Sequence, residues 1–209
     1  MNVFSPKKIQ TFCKSVNNIS TLKMSSEVRS TNAGLIVIGD EILKGQVQDT
    51  NSHFLTKHLH QKGIRVAKIS VVPDDIAVIA AEVKTFTKTF DYVLTSGGIG
   101  PTHDDVTFEA VAKAFDCKCE HHPKLVAMCK AWFKKDQLSD PCFKLAYIPL
   151  KSELNFGLDK KSGKLMIYPI VSVQNVYIFP GKTLLDCRLR HSCGLSISNF
   201  ANVIISRSS

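Results

Sequence analysis

The stretch TSGGIGPTHDDVTFEAVAKAF, Thr95 to Phe115, decides how this chain is read. It begins at the end of the apolar run Tyr92–Leu94, a short strand buried on both faces. It crosses a glycine-rich turn, Gly97-Gly98-Ile99-Gly100, and enters a helical stripe of Phe108, Val111, Ala112 and Phe115. Thr102 and Asp105 have capping-box spacing, which predicts that the helix starts there. Strand, glycine turn and helix in that order form half of a βαβ unit. The free N–H groups at such a helix start, with the positive end of its dipole, suit a phosphate. The same pattern also serves a tight strand-to-helix turn that binds nothing. It is not a Walker A loop, since no Gly-Lys-Ser/Thr follows, and it lacks the GxGxxG spacing of a dinucleotide fingerprint.

The chain on the amino-terminal side repeats the pattern. Gly34–Ile38 (GLIVI) is another apolar run, and Phe54, Leu55, His58 and Leu59 recur at helical spacing up to Gly63. Val66–Val72 is strand-like. Ile76, Ile79, Ala80, Val83 and Phe86 form a helical stripe, with Asp74 and Asp75 ahead of it as capping candidates. Alternating strands and helices predict an α/β fold of three α/β/α layers on a mostly parallel sheet. Beyond Cys117, Leu125–Phe133 reads as a helix with Trp132 in the core. Leu165–Tyr168 and Val176–Phe179 read as strands, and Asp159–Lys164 as a turn.

In open α/β sheets, ligands bind outside the carboxyl ends of the strands. Three motifs fall there: Gly39-Asp40-Glu41, Pro73-Asp74-Asp75, and Gly97–Gly100 running into Thr102-His103-Asp104-Asp105. Acids gathered beside a phosphate repel it unless a cation intervenes. Mg²⁺ is held by one or two carboxylates plus phosphate oxygens. A divalent metal and a pyrophosphate ligand are therefore expected together, with the acids that serve them among Asp40, Glu41, Asp74, Asp75, Asp104 and Asp105. Gly39, Asp40, Glu41, Gly97, Gly98, Gly100, Thr102 and His103 are the ligand-binding candidates. The competing reading makes Asp74 and Asp104 helix caps and the remaining acids solvated. Cys117, Cys119, His121 and His122 lack zinc-site spacing.

The net charge is +9, yet residues 33–181 carry only +2, with 18 bases against 16 acids. The excess lies at the two ends, which argues against a nucleic-acid surface on the folded body. No apolar run reaches the roughly 18 residues of a membrane span. Seven cysteines, an odd number with no CxxC pair, suit a reducing compartment. Residues 1–32 read as a disordered tail or as a mitochondrial transit segment, being acid-poor with Ile9, Phe12, Val16 and Ile19 on one helical face. Met24 could start a cytosolic form. The expected compartment is cytoplasmic or mitochondrial.

The motifs GDEILKGQVQDTN (Gly39–Asn51), VPDD (Val72–Asp75) and Thr95–Phe115 resemble the molybdopterin-binding domain of MoaB/Mog and CinA-like proteins. The match is nearest to the amino-terminal domain of eukaryotic FAD synthases, and YPIVSVQNVYIFPG (Tyr168–Gly181) is similar to that subfamily. The resemblance implies the MoaB/Mog fold and a body at 33–181. It implies that Asp74 and Asp105 hold a metal–nucleotide, and that Gly97–Gly100 hold a phosphate. It further implies metal-dependent hydrolysis of the pyrophosphate of FAD or a related nucleotide. It also implies a small-molecule flavin or nucleotide as partner, and self-association of identical chains by analogy. FMN adenylyl transfer belongs in that subfamily to a separate carboxyl-terminal domain, to which nothing here corresponds. Residues 182–209 depart from the family pattern and read as a truncated or alternatively spliced tail. Two other readings stay open: molybdopterin adenylyl transfer, and a non-catalytic flavin- or nucleotide-binding fragment.

Overall fold

The computed structural model describes residues 31–156 and 168–181. The expected turn at 159–164, most of the expected strand at 165–168 and both terminal segments lie outside the described residues.

Strands β1 (Asn32–Ile38), β2 (Arg65–Val72) and β3 (Tyr92–Ser96) form the parallel part of the sheet. Two more strands, β7 (Ile170–Val173) and β8 (Val176–Phe179), join as a hairpin, and β6 (Glu153–Asn155) completes the order β2-β1-β3-β8-β7-β6. The pairs β1–β2, β1–β3 and β3–β8 are parallel; β7–β8 and β6–β7 are antiparallel. A separate antiparallel pair joins β4 (Cys119–His121) to β5 (Tyr147–Pro149). The hairpin turn places Gln174 at φ 52. The strands β4 to β7, of three or four residues each, are absent from the sequence reading.

Among the described residues, five α-helices connect these strands: α1 (Asp40–Leu43), α2 (Asn51–His60), α3 (Ile76–Thr89), α4 (Thr107–Ala114) and α5 (Pro123–Phe133). Side chains of β1 alternate between two cores, as strand geometry requires. Leu35 and Val37 pack with Leu55 and Leu59 of α2. Ile36 and Ile38 pack with Ile79, Val83 and Phe86 of α3, Val111 of α4 and Leu125 of α5. Helices thus cover both faces of the sheet, giving the expected α/β/α layering. Each fully buried Leu or Ile stabilises the fold by roughly 1.5–3 kcal/mol, so the sheet is held mainly by these two clusters.

Two local expectations are corrected. Helix α4 begins at Thr107 with Val106 as its cap, not at Thr102. Asp105 Oδ2 does accept from Thr102 N (2.9 Å) and Thr102 Oγ1, but that bond pair closes a turn two residues before the helix. Trp132 is not core. It is 37% exposed at the end of α5, its ring 6.3 Å from that of Tyr168.

Candidate functional site

The carboxyl ends of β1, β2 and β3 lie side by side because β1 pairs with both neighbours in parallel. Each strand emits one of the three motif loops, so the loops meet. Gly39 N donates to Val72 O (3.2 Å), and Asp40 N donates to Asp74 Oδ2 (2.9 Å), joining the first loop to the second. The third loop closes on both. Gly97 sits against the Ile38 carbonyl, and a side chain at Gly98 would reach 3.5 Å from Asp74 Oδ1.

The acids divide into distinct roles. Asp75 is the N-cap of α3, accepting from Ala77 N (2.8 Å) and Val78 N (2.9 Å), and Asp74 is not a cap. Burial pushes the Asp74 carboxyl above its ordinary range, and the charges of Glu41, Asp40 and Asp104 push it the same way, against the Asp40 N–H bond. Asp74 is therefore the crowded anion of the site. Asp40 is held below the usual carboxylate range by its hydrogen bond and ion pair to Lys44 Nζ (2.9 Å). Asp104 pairs with His103 Nε2 at 3.0 Å, both largely exposed. Asp105 holds Thr102 and lies against Gly100. Among the described residues, no group of three or more His, Cys, Asp or Glu side chains could hold a metal ion. A cation here would need phosphate oxygens to complete its shell.

The glycines are explained first by packing. A Cβ at Gly97, where φ is +107, would stand 2.0 Å from the Ile38 carbonyl oxygen. At Gly98, where φ is +60, it would stand 2.4 Å from Thr107 Oγ1. The buried Thr107 hydroxyl donates to Gly97 O (2.9 Å), and Thr107 N donates to Gly98 O (3.1 Å). A side chain at either glycine would therefore collide with the protein's own atoms. The hydroxyl that stitches the turn to α4 is Thr107's, a residue the sequence reading did not single out.

Four further residues belong to this edge. Asn51 Nδ2 donates to Ser96 Oγ (3.0 Å), tying the start of α2 to the end of β3. Asp49 accepts from Ser52 N (3.0 Å) and Ser52 Oγ, fixing the turn ahead of α2. A cleft of about 40 Å³ lies between Glu41, Ile42, Gln48, Asn51, Gly97 and Gly181. That is room for water molecules. The signal for Asn51 stood in the sequence: Asp49-Thr50-Asn51 precedes a helical stripe as caps do. A more open recess of about 390 Å³ lies elsewhere, lined by Glu109, Lys113, Asp116, Cys117, Cys119 and Tyr147, and holds none of the expected site residues. There burial pushes the Cys119 thiol up to about 12, away from the thiolate form.

No helix of the described residues is long and apolar enough to cross a membrane. Comparison with known proteins agrees with the motif reading. Residues 34–185 match a family model described as a probable molybdopterin binding domain. A probable FAD synthase of Caenorhabditis elegans is 42% identical over 164 residues, covering 71% of this chain and 32% of that protein. A CinA-like protein of Thermotoga maritima is 40% identical over 103 residues, 49% of this chain and 25% of the relative. The chain spans about a third of the FAD synthase-like relatives it matches, 32% of one and 34% of another. Among solved structures, the protein CinA of unknown function from Thermoplasma acidophilum superposes with a TM-score of 0.65 at 30% identity, covering 78% of this chain and 95% of that one. The chain belongs to the family of probable molybdopterin binding domains.

Proposed function

We propose that this domain binds FAD or a related nucleotide through its pyrophosphate at the ends of β1, β2 and β3, and hydrolyses it with a divalent cation. The observation that carries this reading is the meeting of the three loops at half-buried Asp74, whose Oδ2 accepts from Asp40 N and whose carboxyl is pushed upward by burial and by the charges of Glu41, Asp40 and Asp104. Such a cluster is costly by itself and becomes favourable when a cation enters. The donor set suits Mg²⁺ or Mn²⁺: hard carboxylate oxygens, with Asp74 as principal ligand and the pyrophosphate supplying the rest. A cation there would neutralise charge as phosphorus is attacked. Water adds to one phosphorus of FAD and the bridging P–O bond breaks, giving FMN and AMP, with the released proton passing to solvent. Glu41 would orient that water, since Asp40 is engaged by Lys44. The FAD synthase-like relatives support a flavin nucleotide as ligand.

The test is to incubate the full chain with FAD and Mn²⁺ or Mg²⁺ and separate FMN and AMP by chromatography. Metal-dependent release that falls at least a hundredfold in Asp74→Ala is expected. Equal release by wild type and Asp74→Ala refutes it. FAD affinity without turnover would instead favour the non-catalytic binding module. Turnover only with ATP and a pterin would favour adenylyl transfer to molybdopterin.

A further inference from the structure

The loop Pro101–Asp104 is exposed along its whole length and contributes nothing to either core. It nevertheless carries Asp104, whose charge is felt at Asp74. Its tether comes from far along the chain. Lys144 Nζ donates to Thr102 O at 2.7 Å and to His103 O at 3.3 Å, and lies 3.8 Å from Glu109 Oε1 of α4. The lysine is held firmly at its base. It sits on a 3-10 helix, Pro141–Ala146, capped by Asp140 accepting from Cys142 N (3.1 Å), with Phe143, Leu145 and Ala146 buried on either side. Its side chain is only 22% exposed, unlike a solvated surface lysine. The ammonium thus donates to two consecutive carbonyls and is paired with a carboxylate beside them.

We propose that Lys144 is a positioning residue. It clamps the Thr102–His103 backbone so that Asp104 stays within reach of the cation that Asp74 would hold. This rests on the reading of the strand-end site given above, and it assigns a role to a residue 39 positions beyond the last motif acid, Asp105.

The experiment compares wild type, Lys144→Met and Lys144→Arg as full chains. Amide hydrogen exchange is followed across residues 101–106, and the Mn²⁺ concentration that half-saturates FAD hydrolysis is measured. Lys144→Met is expected to speed exchange in the loop at least tenfold and raise the half-saturating Mn²⁺ at least fivefold. Near-normal kcat should return at excess metal, and α2 and α3 should stay protected. Lys144→Arg, which keeps charge and donors, should recover both readouts. Unchanged loop exchange in Lys144→Met overturns the clamp, and a loosened loop with unaltered Mn²⁺ dependence overturns its link to the site. Should wild type not hydrolyse FAD, the proposed function falls alone. The same two outcomes then decide the clamp from loop exchange and from Mn²⁺ binding measured by calorimetry.

Discussion

Gly98→Ala tests the geometry on which the strand-end site is built. At φ +60 an alanine pays the left-handed penalty, about 1 kcal/mol. Its methyl would stand 2.4 Å from Thr107 Oγ1 and 3.1 Å from Ile38 Cγ2, and crowding of that kind in a packed interior costs about 1–3 kcal/mol. Thr107 is fully buried and its hydroxyl holds Gly97 O, so it cannot turn aside without losing that bond. Reduced freedom of the unfolded chain returns roughly 0.4–1 kcal/mol. The net is a destabilisation of about 1–3.5 kcal/mol, or a fall in Tm of about 2–14 °C for a chain of this size. Gly45→Ala is the control: φ is +68, but nothing lies within 4 Å of the added methyl. Its cost should stay within about 0.5 kcal/mol, because the strain and the unfolded-state gain nearly cancel. The assay is thermal unfolding by circular dichroism of both variants, Thr107→Ala, and the double variant Gly98→Ala/Thr107→Ala. Removing the hydroxyl removes the closest clash, so the double variant should be about 1–2 kcal/mol better than the sum of the singles. Strict additivity, or equal melting of the Gly98 and Gly45 variants, would show that the turn does not pack against Thr107.

Two further outcomes follow from the carboxylates. Because the folded state raises the Asp74 pKa, its stabilising effect is full below the unfolded value, near 3.9, and is lost as pH rises through the folded value. Asp74→Asn, which keeps an oxygen to accept from Asp40 N, should therefore melt higher than wild type at pH 7. The gain should vanish near pH 3.5, and the variant should lose the rise in Tm that Mn²⁺ gives wild type. A gain that persists at low pH refutes the charge argument. Asp75→Ala removes the cap of α3 and should cost about 1 kcal/mol by denaturant titration with no change in metal dependence. A loss of metal dependence would move Asp75 from cap to ligand.

What could be read from residue order was whatever depends on local periodicity. The buried runs at 34–38 and 92–94, the stripes at 54–59, 76–86 and 108–115, and the acids after each strand were all visible. Together they determined parallel strands, helices on both faces and a shared loop edge, because right-handed crossovers leave few alternatives. Contacts between distant segments were decided only in three dimensions. Thr102 and Asp105 have capping spacing, yet the helix waits for Thr107, because its hydroxyl and N–H reach the glycine carbonyls. That Gly97 and Gly98 also make room for Ile38 and Thr107 shows only in the packed turn. Asn51 meets Ser96, and Lys144 meets Thr102 and His103, across sequence separations of 41 to 45. Hydrophobic periodicity is a property of neighbours along the chain. A hydrogen bond between remote side chains and carbonyls leaves no periodic trace, and it exists only once the packed cores have set the distance.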